Sequence, residues 1–282
     1  MGKFFKHLVS KPSGMIGFAI ITCVVLTAII GPYISPYDPD AMNFKKRFLP
    51  PVWMEGGSVK HALGTDMLGR DILSRLICGT RNSAIVGISA ALIALTIGIS
   101  LGMFGGYLGG MADGVIMRLV DIMLTLPAVM VAILVVAITG PHSVSIIIAM
   151  ALTMWSEYAK VIRGRILTLK QEAFILAAKS MGANAFRMIL KHIFPNVAYI
   201  VIVIFTLQVG LIILWSAGLS FIGLGGITVS WGWDIAAGRQ YVGKYWWLST
   251  FPGLCIFVTV LGFNLFGDWM RDVLDPGATE NL

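Results

Sequence analysis

Few residues in this chain have side chains able to do chemistry, and their spacing is uninformative for catalysis. Only 12% of the 282 residues are charged, four are histidine and three are cysteine. Cys23, Cys78 and Cys255 are scattered, with no paired metal spacing, and within apolar runs a thiol packs as a small hydrophobe. His142 lies in a turn sequence and His192 at the exit of a basic segment, and neither has a metal-ligand partner at useful spacing. No H-E-x-x-H is present. The Gly-Lys pairs, Gly2-Lys3 and Gly243-Lys244, stand outside any G-x-x-x-x-G-K-[ST] phosphate loop. The chain therefore reads as a non-enzyme, with no metal site and no nucleotide site of its own.

The polar residues that remain are conspicuous for their surroundings. Arg118 and Asp121, three apart on a helix, read as a structural ion pair rather than a proton relay. Gln208 falls deep in an apolar run and is the best single candidate for a residue near a transport path, although an interhelical hydrogen bond explains it more simply.

The elements that position these groups are membrane helices. The chain is 57% hydrophobic with a mean hydropathy of +0.85, whereas a soluble domain carries about 25% charged residues. The net charge of +7 comes from basic residues placed between apolar runs. That distribution suits lipid headgroups and insertion rather than nucleic acid. A bilayer core needs about 20 apolar helical residues. Five uncharged runs satisfy it: Pro12–Tyr37, Asn82–Ala112, Ile122–Ser156, His192–Trp233 and Tyr245–Gly267. Thr139-Gly140-Pro141-His142-Ser143 splits the third, giving six spans. The first run is too long for a cleaved signal and is expected to remain as a span.

Backbone groups in lipid must be satisfied within the chain, so the fold class is an all-α membrane protein. The expected layout is a cytoplasmic N-terminus at 1–12, a first transmembrane helix at 13–36 and an external loop at 37–81. A five-helix core at 82–267 follows, with a cytoplasmic loop at 160–196, then a cytoplasmic tail at 268–282. Orientation rests on Lys160, Arg163, Arg165, Lys170, Lys179, Arg187 and Lys191 between spans four and five, which place that loop and both termini in the cytoplasm. In span two, Ala90, Ala94, Gly98, Gly102, Gly106 and Gly110 recur every four residues. Such a stripe admits a close helix partner, either within this chain or on a second membrane subunit.

The loop after span four is too polar to cross a bilayer. Phe174, Ala178 and Met181 align at helical spacing, Gly182-Ala183-Asn184 interrupts, and a second helix with Phe186, Ile189, Leu190 and Ile193 runs to Pro195. Periodicity alone gives a helix–turn–helix on the membrane surface, with one face against the bundle and the other free.

Ala177-Ala178, Gly182 and Ile193-Phe194-Pro195 resemble the cytoplasmic signature of ABC importer permeases, E-A-A, three residues, G, nine residues, I-x-L-P. Leu176 stands where that pattern has glutamate, and Glu172 lies one turn earlier on roughly the same side. Leu63-Gly64-Thr65-Asp66-Met67-Leu68-Gly69-Arg70-Asp71 is similar to the LGTDxLGRD segment of dipeptide, oligopeptide and nickel permeases. Leu219-Ser220-Phe221-Ile222-Gly223-Leu224-Gly225 resembles their SFLGLG segment. Asn264-Leu265-Phe266-Gly267-Asp268, Arg271-Asp272 and Leu274-Asp275-Pro276 resemble the ending of the C-type subunit.

The resemblance implies the type I importer permease fold, with Glu172, Phe174, Ala177, Ala178, Gly182 and Pro195 forming a coupling helix for an ATPase. It implies a second permease subunit, two ATP-binding subunits that carry ATP and magnesium, and an extracytoplasmic solute-binding protein, in a prokaryotic inner membrane. Asp66, Arg70 and Asp71, with Asp234 and Arg239, either face that binding protein or brace the external loops. The expected cargo is a di- or oligopeptide. Nickel or a chelated metal is the alternative within the family, and an ion-coupled secondary transporter the alternative outside it.

Overall fold

A computed structural model describes residues 11–226 and 228–274. Asp275 of the C-terminal signature lies outside the described residues. The described chain contains no β-strand, only two isolated bridges, Ser58 to His61 and Thr65 to Asp71. Five helices are long and apolar enough to cross a membrane, and a bent pair makes a sixth span.

Helix α1, Pro12–Ile34, opens with proline in its first turn, where the missing N–H would have no partner anyway. The loop ends earlier than the hydropathy boundary at Asn82, because Asp71 caps α2, Ile72–Leu108. Its Oδ2 accepts from the Ser74 amide at 2.8 Å and the Ser74 hydroxyl at 2.7 Å. At 37 residues, α2 is about 55 Å long and overshoots the roughly 30 Å hydrocarbon core.

Two breaks in the sequence bend the chain after α2. Gly109 and Gly110 take φ of +70° and +57°, a left-handed step open to glycine, and they turn α2 into α3, Gly110–Thr125. Gly110 meets nothing within 4 Å of its would-be Cβ, so the expectation that it extends the packing stripe is corrected: it is a turn residue. Pro127 forces Leu126 into extended backbone. Helix α4, Ala128–Thr139, therefore leaves α3 at 91°, and only the two together have the length and apolar composition of a span. This bend lies inside the run read as uninterrupted up to Thr139.

Helix α5, Ser143–Leu169, continues past Glu157 and beyond the expected limit near Gly164. The short helix α6, Ala173–Ser180, follows. The next span, α7, runs Ala185–Phe221 as one body. Pro195 does not end a helix, as expected from sequence, but sits in one. A π turn over Met188–Ile193 precedes it and widens the backbone where a proline ring would crowd the preceding carbonyls. Helices α8, Trp231–Gly238, and α9, Trp247–Leu274, complete the chain.

Small residues fix how these helices meet. A Cβ on Gly98 would lie 2.4 Å from Tyr158 Cβ, one on Gly102 2.7 Å from the Ala159 carbonyl, and one on Gly106 3.2 Å from Ile166 Cβ. The stripe on α2 thus packs against α5 of the same chain, and Tyr158, Ile162 and Ile166 are fully buried there. Gly14 and Gly17 likewise seat α1 against Trp269 and Phe266 of α9. Lys11 at the start of α1 pairs with Asp272 near the end of α9 at 2.8 Å, so these two helix ends share one face of the bundle. We call this the near face; the loop before α2 and helix α8 lie on the far face.

Candidate functional site

Helix α6 projects at the near face, tied to three long helices. It follows α5 after a tight turn in which the Glu172 amide donates to the Leu169 carbonyl at 3.0 Å. In that turn Lys170 Nζ donates to the Tyr107 carbonyl at 3.0 Å, closing the C-terminal end of α2 with a cation. At its other end Gly182 takes φ +80°. The Gly182 amide donates to Lys179 at 3.0 Å and the Ala183 amide to Ala178 at 3.1 Å, the two bonds of a Schellman closure. Asn184 then caps α7, its Oδ1 accepting from the Arg187 amide at 2.8 Å.

The faces of α6 differ from the sequence expectation. Ile175 and Ala178 are the buried pair, packed toward the π turn, while Phe174 and Met181 point away. Ala178 is thus an inner-face residue rather than an outward contact. Glu172, Phe174, Leu176, Ala177 and Gly182 remain exposed, and Pro195 is exposed on α7. Phe174, Leu176, Met181, Phe186 and Leu190 leave large apolar side chains uncovered at this end of the protein, a surface that marks an interaction site.

The far face holds a buried charge cluster. Asp66, Arg70 and Asp71 are 8%, 5% and 3% exposed. Asp66 Oδ2 accepts from Arg70 Nε at 2.6 Å, and Asp66 Oδ1 accepts from the Leu68 and Arg70 amides at 2.8 and 2.9 Å. His61 Nδ1 lies 3.0 Å from Asp71 Oδ1. Gly69 approaches so closely that a Cβ would strike the Asn43 carbonyl at 1.9 Å. Arg75 reaches Asp234 of α8 through Nε at 2.7 Å and Nη2 at 2.6 Å, and Asp40 through Nη1 at 3.1 Å. Burial pushes the Asp234 carboxyl above its ordinary range, and Arg75 opposes that shift. Arg239, by contrast, is exposed and donates to the Phe221 carbonyl at 2.6 Å. All these groups, Arg239 included, make polar contacts within this chain.

Within the bundle, the Arg118–Asp121 pair does not form; both side chains are exposed, and no ion pair joins them. Asp113 instead takes a two-pronged contact from Arg163, Nε at 2.5 Å and Nη2 at 2.6 Å, which locks α3 to α5. Sequence reasoning missed this pair because 50 positions separate the two residues. Gln208 is 94% buried and donates through Nε2 to Glu157 of α5, the interhelical bond expected for it. Of the C-terminal signature, Asp268 and Arg271 are exposed and Asp272 pairs with Lys11.

A bundle of spans carrying a surface helix at one mouth, without catalytic machinery among the described residues, is the architecture of a transport permease. The chain belongs to the family described as binding-protein-dependent transport system inner membrane component, matched over residues 94–280. Residues 1–51 match a second family model, the N-terminal TM domain of oligopeptide transport permease C. The chain is 42% identical over 277 residues to the dipeptide transport system permease protein of Escherichia coli strain K12, covering 97% of this chain and 92% of that one. It is 38% identical over 276 residues to the di/tripeptide transport system permease protein of Pseudomonas aeruginosa strain UCBPP-PA14, covering 97% and 91%. The solved structure of an amino acid ABC transporter with histidines superposes with a TM-score of 0.53 at 17% identity, over 71% of this chain and 94% of that chain. That likeness supports the fold alone.

Proposed function

We propose that this chain is one of two non-identical membrane subunits of an ATP-driven importer for di- or oligopeptides in a bacterial inner membrane. The observation that carries the reading is α6: a short helix on the near face, with an exposed apolar side that no described residue covers. Such a helix fits a groove on a soluble partner. Phe174 and Ala177 provide the outward contact, Glu172 meets a cation at the groove's rim, and Gly182 closes the helix. Inward-facing Ala178 and Ile175 anchor it to α7, and Pro195 lies exposed beyond the π turn. The near face, with the start of α1, the end of α9 and the basic residues around α5 to α7, is assigned to the cytoplasm.

Motion is transmitted through the connections already described. A displacement of α6 pulls on α5 through the turn at Lys170, on α2 through the Lys170 cap, and on α7 through the Schellman closure. Closure of two ATP-binding subunits, which hold ATP and magnesium, would then switch the packed helices between two states. Peptide cargo is favoured over nickel by the names of the relatives, which are 38–42% identical over nearly the whole chain. A solute-binding protein on the far side supplies that cargo.

The test is reconstitution in proteoliposomes with the second permease, the two ATPases and the binding protein. ATP-dependent uptake of labelled dialanine that requires every component is expected. Uptake by this chain alone, driven by an ion gradient, would replace the reading with a secondary transporter.

A further inference from the structure

The carboxylate of Glu157 stands where a lipid-facing surface tolerates none. It lies 14 residues into α5 from the far-face end, about 21 Å along the axis and so within the roughly 30 Å core. Gln208, 13 residues before the far-face end of α7, is at matching depth. Glu157 is exposed on the chain's surface. Its neighbours on that exposed side of α5 are Lys160, Val161, Gly164 and Thr168. The outward side of α4 offers Met130, Ile133, Leu134 and Ile138 instead, a surface suited to acyl chains. Charged groups at membrane depth face a water-filled path or a protein neighbour.

Two features show a site prepared for a donor. Gln208 holds the carboxylate through its Nε2, which fixes one oxygen and leaves the other free. The second polar atom of the same amide, Gln208 Oε1, is buried and has no hydrogen-bond partner. A buried acceptor left without a donor is destabilising, so the Gln208 Oε1 calls for a donor from outside the described residues. The free oxygen of the exposed carboxylate suits a primary ammonium group, which has three donors and no acceptor. Every unblocked peptide carries such a group at its N-terminus.

We infer that Glu157, positioned by Gln208, is a way-station in the translocation path that binds the α-ammonium group of the passing peptide. This rests on the peptide-importer reading. The side-chain-tolerant passage expected of a peptide importer is thereby reconciled with a contact to cargo, because the ammonium is common to all its peptides.

The experiment uses the reconstituted importer with its binding protein saturated by either dialanine or N-acetyl-dialanine. The wild type should move the free-amine peptide faster. Glu157→Gln should lower dialanine uptake about tenfold, the scale of one charge-assisted hydrogen bond, and leave the blocked peptide unchanged. Glu157→Asp should restore most of the rate, and Gln208→Leu should give a smaller loss of the same kind. Equal wild-type rates for the two peptides overturn the proposal. So does an equal fall for both peptides in Glu157→Gln, or dialanine uptake unaffected by that change. Failure of both Glu157 variants to assemble overturns it in favour of pairing with the second permease. Absence of ATP-dependent dialanine uptake in the wild type is a different result, which removes the peptide-importer reading itself.

Discussion

Replacing Arg75 by methionine tests whether the far-face cluster is a structural brace. Arg75 makes two short bonds to Asp234, at 2.7 and 2.6 Å, with side chains only 3% and 11% exposed. The substitution keeps the stem's packing but leaves Asp234 buried without its cation. Removing one partner of such a pair costs about 3–5 kcal/mol. Asp234→Asn should cost less, about 1–3 kcal/mol, since Arg75 keeps the Pro39 carbonyl at 3.0 Å and Asp40 at 3.1 Å. Asp40 adds little of its own, because its side chain is 67% exposed. Combining Arg75→Met with Asp234→Leu removes both charges and should be less destabilising than Arg75→Met alone. Equilibrium unfolding in mixed detergent, followed by tryptophan fluorescence, reads the cycle, and Trp231 and Trp233 adjoin the site. The cycle is closed by Asp234→Leu alone, and additivity of Arg75→Met and Asp234→Leu within about 0.5 kcal/mol would refute the reasoning.

Gly98→Leu should destabilise the α2–α5 contact by at least ~1–3 kcal/mol through overpacking, since even a Cβ there would lie 2.4 Å from Tyr158 Cβ. Gly114→Ala, where nothing lies within 4 Å, should be neutral or stabilise by up to about 1 kcal/mol; the same unfolding assay separates the two. Gly182→Ala forces a side chain into φ +80° and should loosen the end of α6 by about 1 kcal/mol. ATP-dependent transport should slow while complex assembly, read by size-exclusion chromatography, stays intact.

Spans were legible because lipid leaves the backbone no alternative to the helix, and five uncharged runs carried that requirement openly. Their ends were less legible. Asp71 carries α2 ten residues outward from Asn82, and a capping carboxylate does not register in a hydropathy pattern. Pro127 is a visible signal for the broken span, masked by the uniformly apolar run around it. The stripe of Gly98, Gly102 and Gly106 announced close packing, but its partner helix became identifiable only in three dimensions. Helix α6 shows the finest limit. Phe174 and Ile175 are adjacent and both apolar, so periodicity left open which of them would be buried. The Arg75–Asp234 and Arg163–Asp113 pairs join residues far apart in the chain, and nothing local to either member names the other.

The central claim is that a soluble motor grips the outward side of α6. It is tested by placing a single cysteine at Ala177 after replacing Cys23, Cys78 and Cys255, then adding a short bifunctional crosslinker to the assembled importer. The account predicts a crosslink to an ATP-binding subunit whose yield changes when ATP is added. Crosslinks confined to lipid or to the second permease, unchanged by nucleotide, would contradict it.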